Sequence, residues 1–339
     1  MPNHKNPHAS ELADEYVKKH PDMPSLTLAR LMAKKHPRVW KDVDAARCAI
    51  RYRRGANGKA KREDRGLAAI TTPASKFNPI NPLNLPASFE REHTPFIMDG
   101  CERVLVLPDI HLPYHNIGAL TLALQTGQRR KVDGILINGD LADFHTLSRF
   151  CKNPEARSFK QERKTALAFL SKLRELFPDA RIVFKEGNHD ERLQHYIMER
   201  APELYDVTIN GLGALFNLKK FGIEHVYEKR EVMVGKLPVL HGHELPRGIS
   251  APVNPARGAF MRAKVSCMVS HSHKTSEHTE TNLGRDIVTC WSTGCLCELR
   301  PLYEPNNGWN HGFAEIEVST GGLFNVTNFR IHNGKLLNS

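Results

Sequence analysis

Val104-Leu105-Val106-Leu107-Pro108-Asp109-Ile110-His111 is the stretch from which the rest of the chain can be read. Its apolar run suits a buried strand. Asp109 and His111 then fall in the loop at the strand's carboxyl end, where α/β sheets place their ligands and active sites. Alternate residues of an extended loop point the same way, so one carboxylate and one imidazole can grip one cation. Alone the pair says little, because D-x-H is common by chance.

The same arrangement returns further along. Ile135-Leu136-Ile137-Asn138 leads into Gly139-Asp140, where glycine permits a tight turn and the aspartate has two oxygens to share between cations. Arg181–Lys185 reads as a strand and leads into Gly187-Asn188-His189-Asp190, with Asn188 offering a neutral amide oxygen and His189 an imidazole. Pro238-Val239-Leu240 ends in His241-Gly242-His243, and Cys267–Ser270 ends in His271-Ser272-His273. Any one of these is an ordinary polar strand end. Five in fixed order make a donor set for two divalent cations side by side. Mixed imidazole, carboxylate and amide ligands suit Mn²⁺, Fe or Zn²⁺ better than Ca²⁺, and Mn²⁺ is the first expectation.

Between the motifs, strand and helix alternate. Ala119–Arg130 reads as a helix and Gly134–Ile137 as a strand; Ala166, Phe169, Leu170 and Leu173 share one face of a long amphipathic helix. After residue 225 strands predominate, at Glu231–Gly235, Pro238–His241, Cys267–Ser270, Asp286–Trp291 and Gly312–Val318. This order predicts a layered α/β body with helices covering sheets.

The series D-x-H, G-D-x-x-D, G-N-H-[DE], H and G-H-x-H resembles the signature of the calcineurin-like metallophosphoesterase superfamily over residues 101–275. The resemblance implies a four-layered αββα sandwich with a di-metal centre where the loops of the sheets converge. It implies one metal held by Asp109, His111, Asp140 and His273, and a second held by Asp140, Asn188, His241 and His271, with Asp140 bridging. Asp143 resembles the carboxylate that orients the catalytic histidine, here His189. Two cations ~3.5–4 Å apart activate a bridging hydroxide for in-line attack on phosphorus. His189 would steady the transition state or protonate the departing oxygen.

The chain departs from the family pattern twice. Ser270 stands where glycine is usual. Asp140-Leu141-Ala142-Asp143-Phe144-His145 lacks the Asp-Arg-Gly of Ser/Thr protein phosphatases, whose arginine engages phosphate, and this argues against a dedicated phosphoprotein phosphatase. His145, Arg149, Arg192 and His243 are candidates for phosphate or substrate contact in its place.

Charge separates the N-terminus from this body. Residues 1–65 hold 16 Lys and Arg against 8 Asp and Glu, so +8 of the net +11 lies there. Three short helices are predicted, capped by Ser10, Ser25 and Asp42, and stopped at His20-Pro21, His36-Pro37 and Gly55. Arg47, Arg51 and Arg54 recur at i, i+4, i+7 on the third and make a basic stripe, as in a small helix-turn-helix or homeodomain-like unit. DNA or RNA is the expected partner of this module; the alternative is an arm that docks on protein or serves oligomerisation. Residues 66–100, punctuated by Pro73, Pro79, Pro82, Pro86 and Pro95, read as a linker, and 101–335 as the phosphoesterase domain.

A composition 40% hydrophobic and 25% charged is that of a globular protein with a real core, not of a disordered or membrane-spanning one. Met1–Ser10 has no signal-peptide character, and seven cysteines without a framework suit reduced thiols, so a cytoplasmic location is expected. Cys295-Leu296-Cys297 reads as buried thiols. Trp291–Pro301 and Trp309-Asn310-His311-Gly312-Phe313 read as core and loop. The favoured substrate is a nucleic acid or nucleotide phosphodiester. The alternatives are a phosphomonoesterase or nucleotide phosphatase, and a non-catalytic nucleic-acid-binding protein that keeps the metal fold only as a scaffold.

Overall fold

Three helices open the chain, each ended by proline or by loss of its apolar period. The computed structural model describes residues 7–21, 23–54, 81, 85–86, 89, 93–149, 158–205, 211–246 and 253–337. The helices are α1 (Pro7–Lys19), α2 (Ser25–Lys35) and α3 (Val43–Arg53). Asp42 caps α3 as expected, its Oδ1 accepting from the Ala45 N–H at 2.7 Å. Ser10 and Ser25 do not act as caps. α1 begins earlier, at Pro7, since proline tolerates a first turn. Ser25 is already helical, and its hydroxyl accepts from Arg54 Nη1 at 3.1 Å. The apolar faces meet around Leu28, Met32, Trp40, Ala46 and Ile50. An Arg53–Asp14 ion pair (3.0 Å) and a Tyr16–His36 hydrogen bond (3.0 Å) tie the helices together. Gly55, and most of the expected linker, lie outside the described residues.

The chain divides into two units, residues 1–90 and 91–339. The second begins with β1 (Phe96–Ile97), β2 (Arg103–Leu107), α4 (Ile117–Arg130), β3 (Gly134–Asn138), α5 (Phe159–Leu176) and β4 (Arg181–Lys185). It continues through α6 (Arg192–Arg200), α7 (Gly211–Leu215), β5 (Ile223–Val226), β6 (Val232–Val234), β7 (Leu237–Val239) and α8 (Pro255–Ala263). β8 (Cys267–Val269), β9 (Ser276–Thr281), β10 (Ile287–Ser292), β11 (His311–Val318), β12 (Phe324–His332) and β13 (Lys335–Leu337) complete it. One sheet runs β13-β12-β11-β2-β3-β4-β5, the other β1-β6-β7-β8-β10-β9.

Register explains why the first sheet is buried on both faces. Ala314, Val106, Leu136 and Val183 lie side by side across β11, β2, β3 and β4 and enter the core between the sheets, with Val232, Val239 and Met268 opposite. One residue over, Leu105, Ile135, Ile182 and Ile223 form a row on the other face. These pack against Ala119, Leu120 and Ala123 of α4 and Ala166, Leu170 and Leu173 of α5. Ala256 and Ala259 of α8 cover the outer face of the second sheet over Cys267, Val269 and Cys290. The result is the expected αββα sandwich.

α8 has no counterpart in the sequence reading. Its small residues Ala256, Gly258 and Ala259 suit close approach to the sheet but make a weak apolar period; Asn254 caps it, accepting from Arg257 N–H at 3.0 Å. The stretch just before residue 101, read as the end of the linker, belongs to this unit. β1 pairs with β6, where the N–H groups of Phe96 and Met98 reach the Glu231 and Met233 carbonyls at 2.9 Å. Among the described residues no helix is long and apolar enough to cross a membrane.

Leu136 is fully buried between the sheets. Leu136→Ala should cost ~2–5 kcal/mol, read as a lower urea midpoint with the slope unchanged.

Candidate metal centre

Parallel pairing of β2, β3 and β4 brings their carboxyl-end loops to one edge, and parallel β7 and β8 bring theirs from the other sheet. The backbone there is strained. Asp109 (φ 45°), His111 (φ 50°), Asp140 (φ 52°), His271 (φ 65°) and His273 (φ 53°) all sit in the left-handed region. Non-glycine residues held there cost on the order of 1–3 kcal/mol each. Bonds between the loops offset this: His111 N–H to Asp140 O (2.8 Å), Leu296 N–H to Asp109 O (3.1 Å) and His271 N–H to Asp109 Oδ2 (3.1 Å). Two glycines are required by space. A Cβ on Gly139 would run into the His241 imidazole, and one on Gly187 into the Asp140 carboxylate.

The donor atoms converge. Asp109 Oδ1 and His111 Nε2 lie 3.1 and 3.2 Å from His273 Nε2. Asp140 Oδ2 lies 3.5 Å from His111 Nε2 and 3.4 Å from His241 Nε2, which is 3.1 Å from Asn188 Oδ1. Three overlapping groups bring their ligand atoms within 4.8 Å of one another: His111 with His273 and Cys297, His111 with Asp140 and His189, and Asp140 with His241 and His271. Asp140 belongs to two of them. Asp109, His111, Asp140, Asn188, His241, His271 and His273 are therefore brought together.

This donor set fits cations. His111 Nδ1 is engaged by Asp143 Oδ1 (3.1 Å) and His241 Nδ1 by the Asn138 carbonyl (2.9 Å), which turns both Nε2 atoms inward. Burial works to lower the His241 and His273 pKa values, but Asp140 and Asp109 respectively win and push both up to about 10. Burial works to raise Asp140, but His241, His189 and His111 hold its carboxyl well below the usual range.

Around this cluster, Asp143 Oδ1 lies 3.1 Å from both His111 Nδ1 and His189 Nδ1, so one carboxylate orients two imidazoles. His189 Nε2 faces Arg192 Nη2 at 3.1 Å, and Arg192 Nη1 donates to the Asp143 carbonyl at 2.7 Å. His243 Nε2 is 3.0 Å from Glu191 Oε1 and its ring meets that of His241 edge-on. His145 lies half-buried in a 3-10 turn after Asp143, whereas Arg149 is exposed and pairs with Glu199 of α6. In the N-terminal unit, Arg47 and Arg51 are exposed. Arg54 leaves the expected stripe, because its guanidinium donates to Ser25 Oγ and to the His20 and Pro21 carbonyls, each at 3.1 Å.

Supporting residues surround the expected ligands, and of these Lys185 and Glu244 carry no motif signal. The buried Lys185–Glu244 pair (2.5 Å) anchors a carboxylate that accepts from His241 N–H (3.0 Å) and Gly242 N–H (2.6 Å). Asp190 accepts from Gly187 N–H at 2.9 Å and approaches the Leu141 and Ala142 N–H groups at 3.4 Å, linking two motif loops. Ser270, the departure from the family pattern, accepts from Asn138 Nδ2 (2.7 Å) and Thr293 Oγ1 (3.1 Å). Cys297 Sγ is 4.0 Å from His273 Nδ1, and Cys295 and Cys297 are buried free thiols, as read from sequence. Trp309 packs its ring against His273 at 4.2 Å between centroids, a contact no local pattern announced.

The calcineurin-like phosphoesterase family pattern matches residues 102–278. The chain belongs to that family. The Gene 54 protein of Mycobacterium phage L5 is 26% identical over 229 residues, covering 64% of this chain and 89% of the phage protein, and the Gene 54 protein of Mycobacterium phage D29 matches with the same figures. Among solved structures, vacuolar protein sorting 29 from Cryptosporidium parvum aligns with 70% of this chain and 96% of its own, at 14% identity and a TM-score of 0.38. Vps29 from Chaetomium thermophilum aligns over 70% of this chain and 95% of its own, at 13% identity and a TM-score of 0.38.

Glu162 of α5 is fully buried. Burial, and then the charge of Asp143, push its pKa from 4.5 up to about 8. The unfolded chain releases this proton first, so the group's contribution to stability falls as pH rises from about 4.5 to about 8. Glu162→Gln should flatten that slope, seen as a smaller loss of unfolding free energy between pH 5 and pH 8 than in the parent.

Proposed function

We propose that this chain is a phosphoester hydrolase that works with two divalent cations, Mn²⁺ first, on a nucleic acid or nucleotide phosphodiester. The observation that carries the reading is Asp140, whose carboxylate stands between the His111 and His241 imidazoles. Asp109, His111, Asp140 and His273 would hold one ion; Asp140, Asn188, His241 and His271 would hold the other. Bound there, the ions supply Lewis acidity, activating water and neutralising charge on phosphate oxygens.

The chain's own residues do the rest. Asp143 fixes the His189 ring through Nδ1; Nε2 accepts from Arg192 Nη2 at 3.1 Å here, and would hold or deliver a proton at the ester oxygens once that guanidinium turns to the phosphate. Arg192 presents its guanidinium beside that nitrogen, a fork suited to a phosphate oxygen in a family member without the Asp-Arg-Gly arginine. His243 and His145 are the remaining polar candidates at the rim. A phosphodiester is favoured over a phosphoprotein by the missing arginine and by the basic N-terminal unit, whose exposed Arg47 and Arg51 suit a polyanion.

Chelation with EDTA should abolish hydrolysis of bis-p-nitrophenyl phosphate, and Mn²⁺ should restore it. His189→Ala should lower kcat ~10²–10⁴-fold with metal content unchanged. A clear preference for p-nitrophenyl phosphate over the diester would overturn the diester reading. In the full chain, Arg47→Ala with Arg51→Ala should weaken DNA or RNA binding across sequences and reduce the salt slope by about 2, one per lost phosphate contact; an unchanged slope in filter-binding titrations would remove the module from nucleic-acid recognition.

A further inference from the structure

Two aromatic side chains stand beside the donor cluster without a role in the chemistry described so far. The Trp309 ring meets His273 edge-on at 4.2 Å and 74°, and Tyr303 meets Trp309 edge-on at 6.4 Å and 63°. Trp309 is partly covered by these contacts, whereas Tyr303 is 69% exposed and neighbouring Leu302 89% exposed. Apolar surface is thus presented to solvent next to a polar centre, where water would otherwise be favoured.

The loop that carries them is braced. Asn307 Nδ2 donates to the Leu299 and Glu304 carbonyls, both at 2.7 Å, and Asn307 Oδ1 accepts from Trp309 N–H at 2.9 Å. Asn310 N–H then reaches the His273 carbonyl at 2.9 Å, which ties the loop to a residue of the cluster itself. Rings held on such a frame lose little freedom when something binds them.

Resting on the hydrolase reading above, we propose that Tyr303 and Trp309 form a base-stacking subsite, so that the substrate is a phosphoester bearing a nucleobase. Tyr303 stands two ring contacts away from His273, a reach that suits a planar base set off from its phosphate by a sugar and not an aryl group esterified directly to phosphorus. Bases of any identity offer a π-face, so this subsite selects for a nucleotidyl group without selecting sequence. Trp309 also positions His273, whereas Tyr303 makes only the outer contact, and Tyr303 is therefore the residue to change.

Thymidine 5′-p-nitrophenyl phosphate and methyl p-nitrophenyl phosphate share a leaving group and differ in the base. The parent enzyme should prefer the thymidine ester. Tyr303→Ala should lower kcat/KM for it ~10-fold, through KM, while Tyr303→Phe retains it and the methyl ester changes less than twofold for either variant. Equal losses on both esters, or no loss on either, would overturn the subsite. Calorimetric titration reads the same subsite without turnover: Tyr303→Ala should weaken thymidine 5′-monophosphate binding ~10-fold and leave inorganic phosphate unchanged. If neither diester is cleaved, the diester reading fails by itself, and the calorimetric difference between nucleotide and phosphate still decides the subsite.

Discussion

Everything at the carboxyl edge of the two sheets is arranged around one buried carboxylate, Asp140. It is 1% exposed, and an unpaired charge at that depth would not persist. Imidazoles from three other loops, His111, His189 and His241, approach it at 3.5, 3.9 and 3.4 Å and hold it ionised. Each imidazole in turn needs its far nitrogen engaged, which fixes where Asp143 and the Asn138 carbonyl must lie. The chain of requirements runs outward from Asp140 until it reaches backbone that the strands hold rigid.

That rigidity is what permits the strain. Five expected ligands in the left-handed region would relax if their loops were free. They are held because strands buried on both faces end abruptly beneath them, and because loop-to-loop bonds such as His111 N–H to Asp140 O replace the lost ladder. The Lys185–Glu244 pair illustrates the same economy of position. Glu244 keeps its charge, down to about pKa 2 against the opposing effect of burial, because Lys185 neutralises it while it caps two backbone N–H groups at His241 and Gly242. The site's donors are thus oriented by residues that never face a substrate.

Much of this was legible one residue at a time. Continuous apolar runs at Arg103–Leu107 and Arg181–Lys185 coincide with β2 and β4, because strands buried on both faces need no alternation. The motif residues could be named because five polar strand ends of metal-binding residue types fall in fixed order, although any one of them alone is ordinary. α8 was hidden, since a helix of alanine and glycine lying tightly on a sheet needs little apolar bulk. β1 was hidden among prolines, its pairing with β6 set by a partner far along the chain. Arg54 looked like part of a basic stripe because helical spacing reports direction and not occupancy; its guanidinium is taken up by carbonyls at the end of another helix.

By itself the sequence determined the family of the chain, the order of its main strands and the residue types available for binding cations, because these follow from local periodicity and from chemistry carried in short motifs. Tertiary structure decided which nitrogen of each histidine faces inward, that Asp143 serves both His111 and His189, and that Ser270 bonds Asn138. It also decided that Trp309, more than thirty residues past the last motif, packs on His273. The reason is that hydrogen-bond direction and ring contact depend on distances of a few tenths of an ångström between segments remote in sequence. Such distances are set only when both sheets have closed on their common core.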